Sequence, residues 1–334
     1  MRIRRKLVQW YRKHQRDLPW RRTSDPYRIW ISEVMLQQTR VAAVIPYYER
    51  FLASFPDPAA LASAREQDLL AAWAGLGYYS RARNLQNAAR SIAALPQFPR
   101  DFAALRRLPG VGDYTAAAVA SIAFGMPHAA LDGNVLRVLS RFLAERGDIQ
   151  TRIVRKRLGA FAETLLDRQR PGEFNQAMME LGATVCLPKQ PQCANCPIAA
   201  HCRARSEGVQ NELPLRGSRA IPRRHELHLL AIEKRAKLLL WQRPPESARL
   251  AGFWELPERH ELPAAKLISK GGEFRHTIVH TTYLVQVDRA SINRNPKGYQ
   301  WVAQSTLHSL PLSTIAKKAL ACLAKRVSAA SAAT

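Results

Sequence analysis

Residues 108–134 read LPGVGDYTAAAVASIAFGMPHAALDGN, and the fold turns on how the Pro-Gly-Val-Gly run at their start is taken. Residues 102–108 (FAALRRL) predict the end of one helix, and residues 114–124 (YTAAAVASIAF) predict the next. Gly110 and Gly112 tolerate backbone angles that a Cβ resists, so the turn between the helices can be tight. Its N–H groups then stand at a helix N-terminus, where the dipole favours an anion. Such a turn is more commonly a plain link between two core helices; the other reading is a hairpin that, through Gly110, Val111 and Gly112, grips a DNA phosphate without reading sequence. After the second helix comes Leu131-Asp132-Gly133-Asn134, an acid at the mouth of a turn.

Upstream, Asp25-Pro26 predicts an N-cap followed by proline at the first helical position. The helix it opens reads YRIWISEVMLQQT, with Glu33 among Ile31, Val34, Met35 and Leu36. Apolar surroundings favour the neutral carboxyl, which then holds a proton for delivery near neutral pH. A lone Glu on a helix is more commonly solvent-facing. Residues 69–89 predict another helix–turn–helix, with Gly75 and Gly77 in the turn and Tyr78, Tyr79, Arg81 and Arg83 after it. Rings beside arginines suit an unstacked base or a wedge in a duplex, although tyrosines alone are more commonly core residues.

Downstream, Cys186, Cys193, Cys196 and Cys202 form C-x6-C-x2-C-x5-C. Thiolates this close can wrap one compact centre; a tetrahedral zinc and a [4Fe–4S] cluster both accept four of them. Beyond residue 205 the pattern changes. Residues 206–224 are rich in Gly, Pro and charge and predict a linker. Residues 226–232, 237–242 and 276–287 predict strands, and 317–326 predict a late helix bearing Cys322 as a core thiol.

The length of 334 residues accommodates two domains, and 47% hydrophobic content is enough for real cores. A formal net charge of +25 points to a polyanionic partner, most often nucleic acid. No apolar run approaches the ~20 residues of a membrane span. The Arg-rich start predicts a helix of the mature chain, through Ile3, Leu7 and Trp10 or Tyr11, and not a transit peptide. Four clustered cysteines out of five suit a reducing compartment and a metal site; the expected location is cytoplasmic, nucleoid-associated and bacterial-type.

LPGVGxYTA followed by LDGNV resembles the helix–hairpin–helix DNA glycosylase superfamily. Joined with LPWR, DPYxxWISEVMLQQT, GLGYYSRARNL and the four cysteines, it resembles the MutY family of adenine DNA glycosylases, of the endonuclease III branch, over residues 7–205. That resemblance implies a mainly α helix–hairpin–helix domain with an iron–sulfur loop (1–205), the linker (206–224), a smaller α+β Nudix-like domain that recognises the opposite base (225–326) and a tail (327–334). It implies base-excision repair by a monomer acting on double-stranded DNA with adenine opposite 8-oxoguanine or guanine. Glu33 is then the proton donor and Asp132 the carboxylate that stabilises the sugar cation, with Tyr114 and Asn134 shaping the site. Arg21 and Gln176 contact adenine, Gln38 and Tyr78 wedge into the stack, and His280 meets the oxidised guanine. The four cysteines hold a [4Fe–4S] cluster. Relatives that also cut the strand carry Lys at the position of Tyr114, so this chain reads as monofunctional. There is no Nudix-box run of glutamates, and no pyrophosphatase activity is expected. Where the family often has Phe-Ser-His, this chain has Ile278-Val279-His280, so weaker selectivity for 8-oxoguanine is expected. The rival reading is a thymine mismatch glycosylase on the same fold.

Overall fold

A computed structural model describes residues 2–217, 223–247, 250–278 and 280–331. Val279 lies outside them. By packing, the chain divides into two compact units, Met1–Ser63 with Arg83–Ser218, and Ala64–Ala82 with Arg219–Thr334.

The helices run α1 (Arg2–His14), α2 (Pro26–Leu36), α3 (Val41–Ser54), α4 (Pro58–Ser63), α5 (Glu66–Trp73), α6 (Ser80–Ala93), α7 (Phe102–Arg107), α8 (Asp113–Phe124), α9 (Gly133–Leu143), α10 (Arg152–Leu165), α11 (Pro171–Thr184) and the short α12 (Arg203–Ser206). Asp25 caps α2 as the sequence predicts, accepting from the N–H groups of Tyr27 and Arg28. In the first unit, α1 buries Leu7, Val8 and Tyr11, one apolar face at helical spacing. They join a core with Leu136 and Leu139 of α9, Leu158 of α10 and Phe174, Met178 and Leu181 of α11. Each such side chain contributes about 1.5–3 kcal/mol on burial.

Helix α11 packs on α1, α8 and α9. It approaches α9 closely enough that a Cβ on Gly182 would lie 2.6 Å from Cβ of Asn134 and 3.0 Å from its carbonyl oxygen. Glycine is therefore required there. The first part of the expected linker is docked on the first unit: Leu213 is buried, Ile149 N–H donates to Leu215 O at 3.2 Å, and Gly217 N–H donates to Asp148 at 3.0 Å.

The second unit is α+β. Its strands are β1 (Arg223–Lys234), β2 (Lys237–Gln242), β3 (Trp254–Glu255), β4 (Lys266–Ile278), β5 (Thr281–Ser291) and β6 (Tyr299–Ala303), followed by α13 (Thr314–Ser331). Among the described residues they form one mixed sheet of order β3-β2-β1-β5-β4, with β6 on β2. Strand β1 pairs parallel with β5, and the other pairs are antiparallel. Leu229, Ala231, Val285 and Val287 pack with Ala316, Ala319 and Leu323 of α13. The single strand expected over 276–287 is two strands, because Ile278 pairs with Thr281 across a hairpin. His280 is exposed in that turn, and its carbonyl accepts from Arg223 N–H at 2.8 Å. Thr277 and Thr282 share a hydroxyl hydrogen bond of 3.1 Å. Half-buried Cys322 packs against the sheet core, as expected.

Candidate active site

Glu33 is 5% exposed. Helix α2 is buried at every position from Ile29 to Met35, so this glutamate has no solvent face to turn toward. The commoner solvent-facing arrangement is thereby excluded. The Tyr114 hydroxyl, on α8, donates to Glu33 Oε2 and also lies 3.3 Å from Met179 Sδ on α11. Burial pushes the Glu33 carboxyl up to about 7; the Tyr114 bond opposes this, the Asp132 charge adds to it and the Arg21 charge opposes it. With Oε2 accepting from Tyr114, the acidic proton is carried on Oε1. Burial first, then the two carboxylates, hold Tyr114 well above an ordinary phenol, so it remains a donor.

Asp132 is the N-cap of α9. One oxygen accepts from Val135 N–H at 2.7 Å, and the other accepts from Asn134 Nδ2 at 2.7 Å. Burial raises this carboxyl as well, outweighing the opposing pull of the N–H groups of Val135 and Asn134, the Asn134 amide and the Arg137 charge. A helix N-terminus favours the anion. The two carboxyl groups are thus set apart by surroundings, one without an adjacent cap and one at a cap. Arg137 ties this corner together, donating to Asn134 Oδ1 and to Gly182 O, each at 2.8 Å.

Arg21 and Gln176 belong to a network that the sequence reading did not include. Glu180, fully buried on α11, accepts from Arg16 through its backbone N–H (3.0 Å), Nε (2.9 Å) and Nη2 (2.8 Å), and from Arg21 Nη2 at 2.7 Å. Burial alone would raise this carboxyl, yet the arginine hydrogen bonds together hold it at about 2. The Arg21 guanidinium also lies 5.3 Å from the centroid of the Tyr11 ring, and the Tyr11 hydroxyl donates to Gln176 Oε1 at 3.0 Å. Glu180 thereby balances the Arg21 charge close to the neutral Glu33. The available signal was spacing: Gln176 and Glu180 are four apart, hence on one helical face. Asn175 was also missed. It accepts from Ala130 N–H at 3.1 Å and donates to His128 O and Ser121 Oγ, each at 2.8 Å, fixing the loop that leads to Asp132.

In the hairpin, Gly110 has φ +74, and a Cβ there would lie 2.5 Å from Cβ of Asn84. Glycine is needed for both reasons. Gly112 differs from the expectation, because its φ of −87 is open to any residue. It is the uncapped N-cap of α8, so its contribution is exposed backbone at a helix start. Val111 is 4% exposed, and its N–H closes the turn onto Leu108 O at 3.1 Å. Its part is to hold the hairpin shape. Gln38 is exposed just past α2, in a left-handed conformation of φ +57. In the second unit, Tyr78 is 45% exposed with φ +49. Arg81, expected to face nucleic acid, is buried, and burial lowers it to about 10. It clamps the carbonyls of Leu76 and Gly77 instead.

All five cysteines are free thiols. Cys186, Cys193, Cys196 and Cys202 line one pocket with Val138, Arg141 and Leu181 among its walls. Among the described residues, no three His, Cys, Asp or Glu gather about a single-ion position; the four thiols border a common space. Donors reach three of these sulfurs, but burial outweighs them at Cys196 and Cys202. Arg141 donates to Cys186 Sγ at 3.3 Å, the Ile198 N–H donates to Cys196, and the N–H groups of Arg205 and Ala204 donate to Cys202. Burial still pushes Cys196 up to about 11, with the other three sulfurs adding to it. Ionising this set calls for a positive centre, which an all-thiolate metal or cluster supplies.

Residues 31–163 match the HhH-GPD superfamily base excision DNA repair protein family. The chain is 36% identical to an adenine DNA glycosylase of Homo sapiens over 394 residues, covering 93% of this chain and 72% of that protein. It is 36% identical to the adenine DNA glycosylase of Mus musculus, covering 95% and 76%, and 31% identical to that of Buchnera aphidicola (strain Bp), covering 86% of each. Among solved structures, a thermostable thymine-DNA glycosylase superposes with a TM-score of 0.56 at 30% identity, over 61% of this chain and 95% of that one. An endonuclease III in a non-covalent complex with DNA does so with a TM-score of 0.52 at 24% identity, over 62% and 97%, which bears on fold alone. With the buried acid, the capped carboxylate and the hairpin in one helical unit, and relatives matched along most of its length, this chain belongs to the adenine DNA glycosylase family, within the HhH-GPD superfamily of base excision DNA repair proteins.

Proposed function

We propose that the chain hydrolytically releases adenine mispaired with 8-oxoguanine or guanine in double-stranded DNA, as a monofunctional glycosylase working as a monomer at the nucleoid of a bacterial-type cytoplasm. One observation carries this reading: a buried glutamic acid whose carboxyl burial raises to about 7, next to a carboxylate held by a helix cap. Adenine inside a duplex is unreachable, so its nucleotide is flipped out at a cost of a few kcal/mol. Adenine leaves poorly until a ring nitrogen is protonated. Glu33 gives up its Oε1 proton there, the N-glycosidic bond breaks, and the electron pair departs with the base. The sugar is left as a cation, which the ionised Asp132 stabilises until water adds. This division between two carboxyl groups is the general solution in glycoside hydrolysis.

Arg21 and Gln176 line the adenine pocket, with Glu180 neutralising Arg21. Gln38 and Tyr78 wedge the stack, and residues 110–112 seat a phosphate. The domain of residues 225–326, through His280, meets the opposite base. In place of an amine, position 114 presents a phenol that stays protonated, so no covalent imine to the sugar forms and the strand is not cut.

Cys186, Cys193, Cys196 and Cys202 would hold a [4Fe–4S] cluster, tethering the 186–202 loop next to Arg203 and Arg205, which could meet phosphate. Purified protein is expected to be yellow-brown, with about four irons per chain. Stoichiometric zinc in a colourless protein would remove the cluster from this account.

A second reading, release of thymine from mismatches, is favoured by the likeness to the thymine-DNA glycosylase structure. That likeness covers 61% of the chain, whereas the likeness to the human adenine enzyme covers 93% and includes the second unit. Base release from labelled duplexes with A opposite 8-oxoguanine, A opposite G and T opposite G separates the two. Adenine is expected from both A-containing duplexes, at a ratio narrowed by the lack of a hydroxyl at Val279, and no thymine. Release of thymine with adenine retained would reverse the assignment.

A further inference from the structure

The turn that carries Tyr78 is built on the second unit. Trp73 Nε1 donates to Gly77 O at 3.1 Å, and Arg81 donates to Leu76 O at 3.1 Å and Gly77 O at 3.0 Å. The Arg81 guanidinium lies 5.3 Å from the Trp73 ring centroid and 5.6 Å from that of Tyr78. These contacts shape the turn but tie it only to its own flanks. The anchor is Tyr79. Its hydroxyl accepts from Gly75 N–H at 3.4 Å, and its ring lies 4.1 Å from that of Phe253, tilted by 52°.

Phe253 is fully buried and fixed to the sheet. Its N–H donates to Leu250 O at 3.0 Å, its carbonyl accepts from Arg243 N–H at 2.8 Å, and the next residue, Trp254, pairs with Gln242 of β2. The strain in the turn sits at Tyr78, with φ +49; Gly75 and Gly77, at +122 and +72, take their positive φ without cost. A non-glycine residue in that region persists only where the surroundings over-determine it. Tyr78, exposed beside a ring locked into the sheet unit, is the residue so held.

We propose that Phe253, through Tyr79, is a positioning residue for Tyr78, so that the residue that opens the base stack and the unit that meets the opposite base form one mechanical piece. This rests on the reading of Tyr78 as the wedge. Engagement of the opposite base by the sheet unit then sets the wedge directly. Shifting Phe253 relaxes the left-handed turn and withdraws the Tyr78 ring from the stack.

The test is a double-mutant cycle in the full chain: the parent, Tyr78→Ala, Phe253→Leu and the double variant. Phe253→Leu keeps an apolar group of similar volume but removes the ring contact, and Tyr79→Leu breaks the same contact from the other side. Two readouts are taken on a duplex with A opposite 8-oxoguanine: 2-aminopurine fluorescence next to the mismatch, which reports unstacking, and single-turnover adenine release. Tyr78→Ala is expected to lower both by about ten- to a hundredfold, the range that base–aromatic stacking supports. Phe253→Leu and Tyr79→Leu are expected to lower the unstacking signal in the same direction, and the double variant is expected to be no worse than Tyr78→Ala alone. Parent-like unstacking in both Leu variants, or effects of Phe253→Leu and Tyr78→Ala that multiply in full, would overturn the coupling while the wedge stands. Parent-like behaviour of Tyr78→Ala would overturn the wedge and the coupling with it.

Discussion

Glu33→Gln is expected to lower single-turnover adenine release by ~10²–10⁴-fold and, above neutral pH, to make the protein more stable. Both effects come from the same burial. The amide keeps an acceptor for the Tyr114 hydroxyl, so the pocket persists, but it has no proton to give. The sign of the stability change follows from linkage. The carboxyl titrates at 4.5 when solvated and near 7 in place. Between these values the native state binds the proton that the unfolded state has lost. Its stabilising contribution is full below the solvated value and is lost as pH rises through the native one. The shift corresponds to about 3 kcal/mol, which glutamine does not forfeit. Thermal melts of the parent and Glu33→Gln at acid and mildly alkaline pH check this. Equal melting at both pH values would mean that Glu33 is not held neutral, and undiminished release would remove it as the acid.

Asp132→Asn is expected to cost a comparable ~10²–10⁴ in rate, with little change in stability. Asparagine caps helices about as well as aspartate, so its side-chain oxygen can keep the Val135 N–H. The negative charge facing the developing sugar cation is lost, and preorganised charge of this kind is a large catalytic contribution. Release should therefore collapse while the melting temperature and the affinity for mismatched duplex stay near those of the parent. Asp132→Ala separates the two roles, because it also removes the cap, at ~1 kcal/mol. An Asp132→Asn variant that releases adenine at the parent rate would assign the stabilising charge elsewhere.

The parts of this site legible in sequence were those made by neighbours in the chain. Asp25-Pro26, the Gly110 turn and the acid at the mouth of a turn, Asp132, are local signals; the structure forms the first two and makes the third a helix cap. Glu33 was legible through its apolar neighbours Ile31, Val34, Met35 and Leu36 and through the motif resemblance that singles it out. Glu180 was not, since its meaning lies in Arg16 and Arg21, more than 150 positions away, and a glutamate in a helix is by default solvated. Arg81 misled for the converse reason. An arginine after two tyrosines reads as exposed, whereas here carbonyls of its own turn satisfy it inside the protein. In the second unit, β4 was missed because its first five residues are all exposed, and register shifts between Leu267 and Ser269 and between Lys270 and Gly272 interrupt the alternation. The period of two that identifies a strand is broken in both ways.

The central claim is that a neutral Glu33 supplies the proton on which adenine departs. The pH dependence of single-turnover adenine release, from ~pH 5 to ~pH 9 on a duplex with A opposite 8-oxoguanine, tests it most directly. The account predicts a rate that falls about tenfold per unit once pH exceeds the Glu33 value of about 7, with residual release by Glu33→Gln lacking that limb. A parent rate that stays level or rises from ~pH 6 to ~pH 9 would contradict it, because a carboxylate has no proton to deliver.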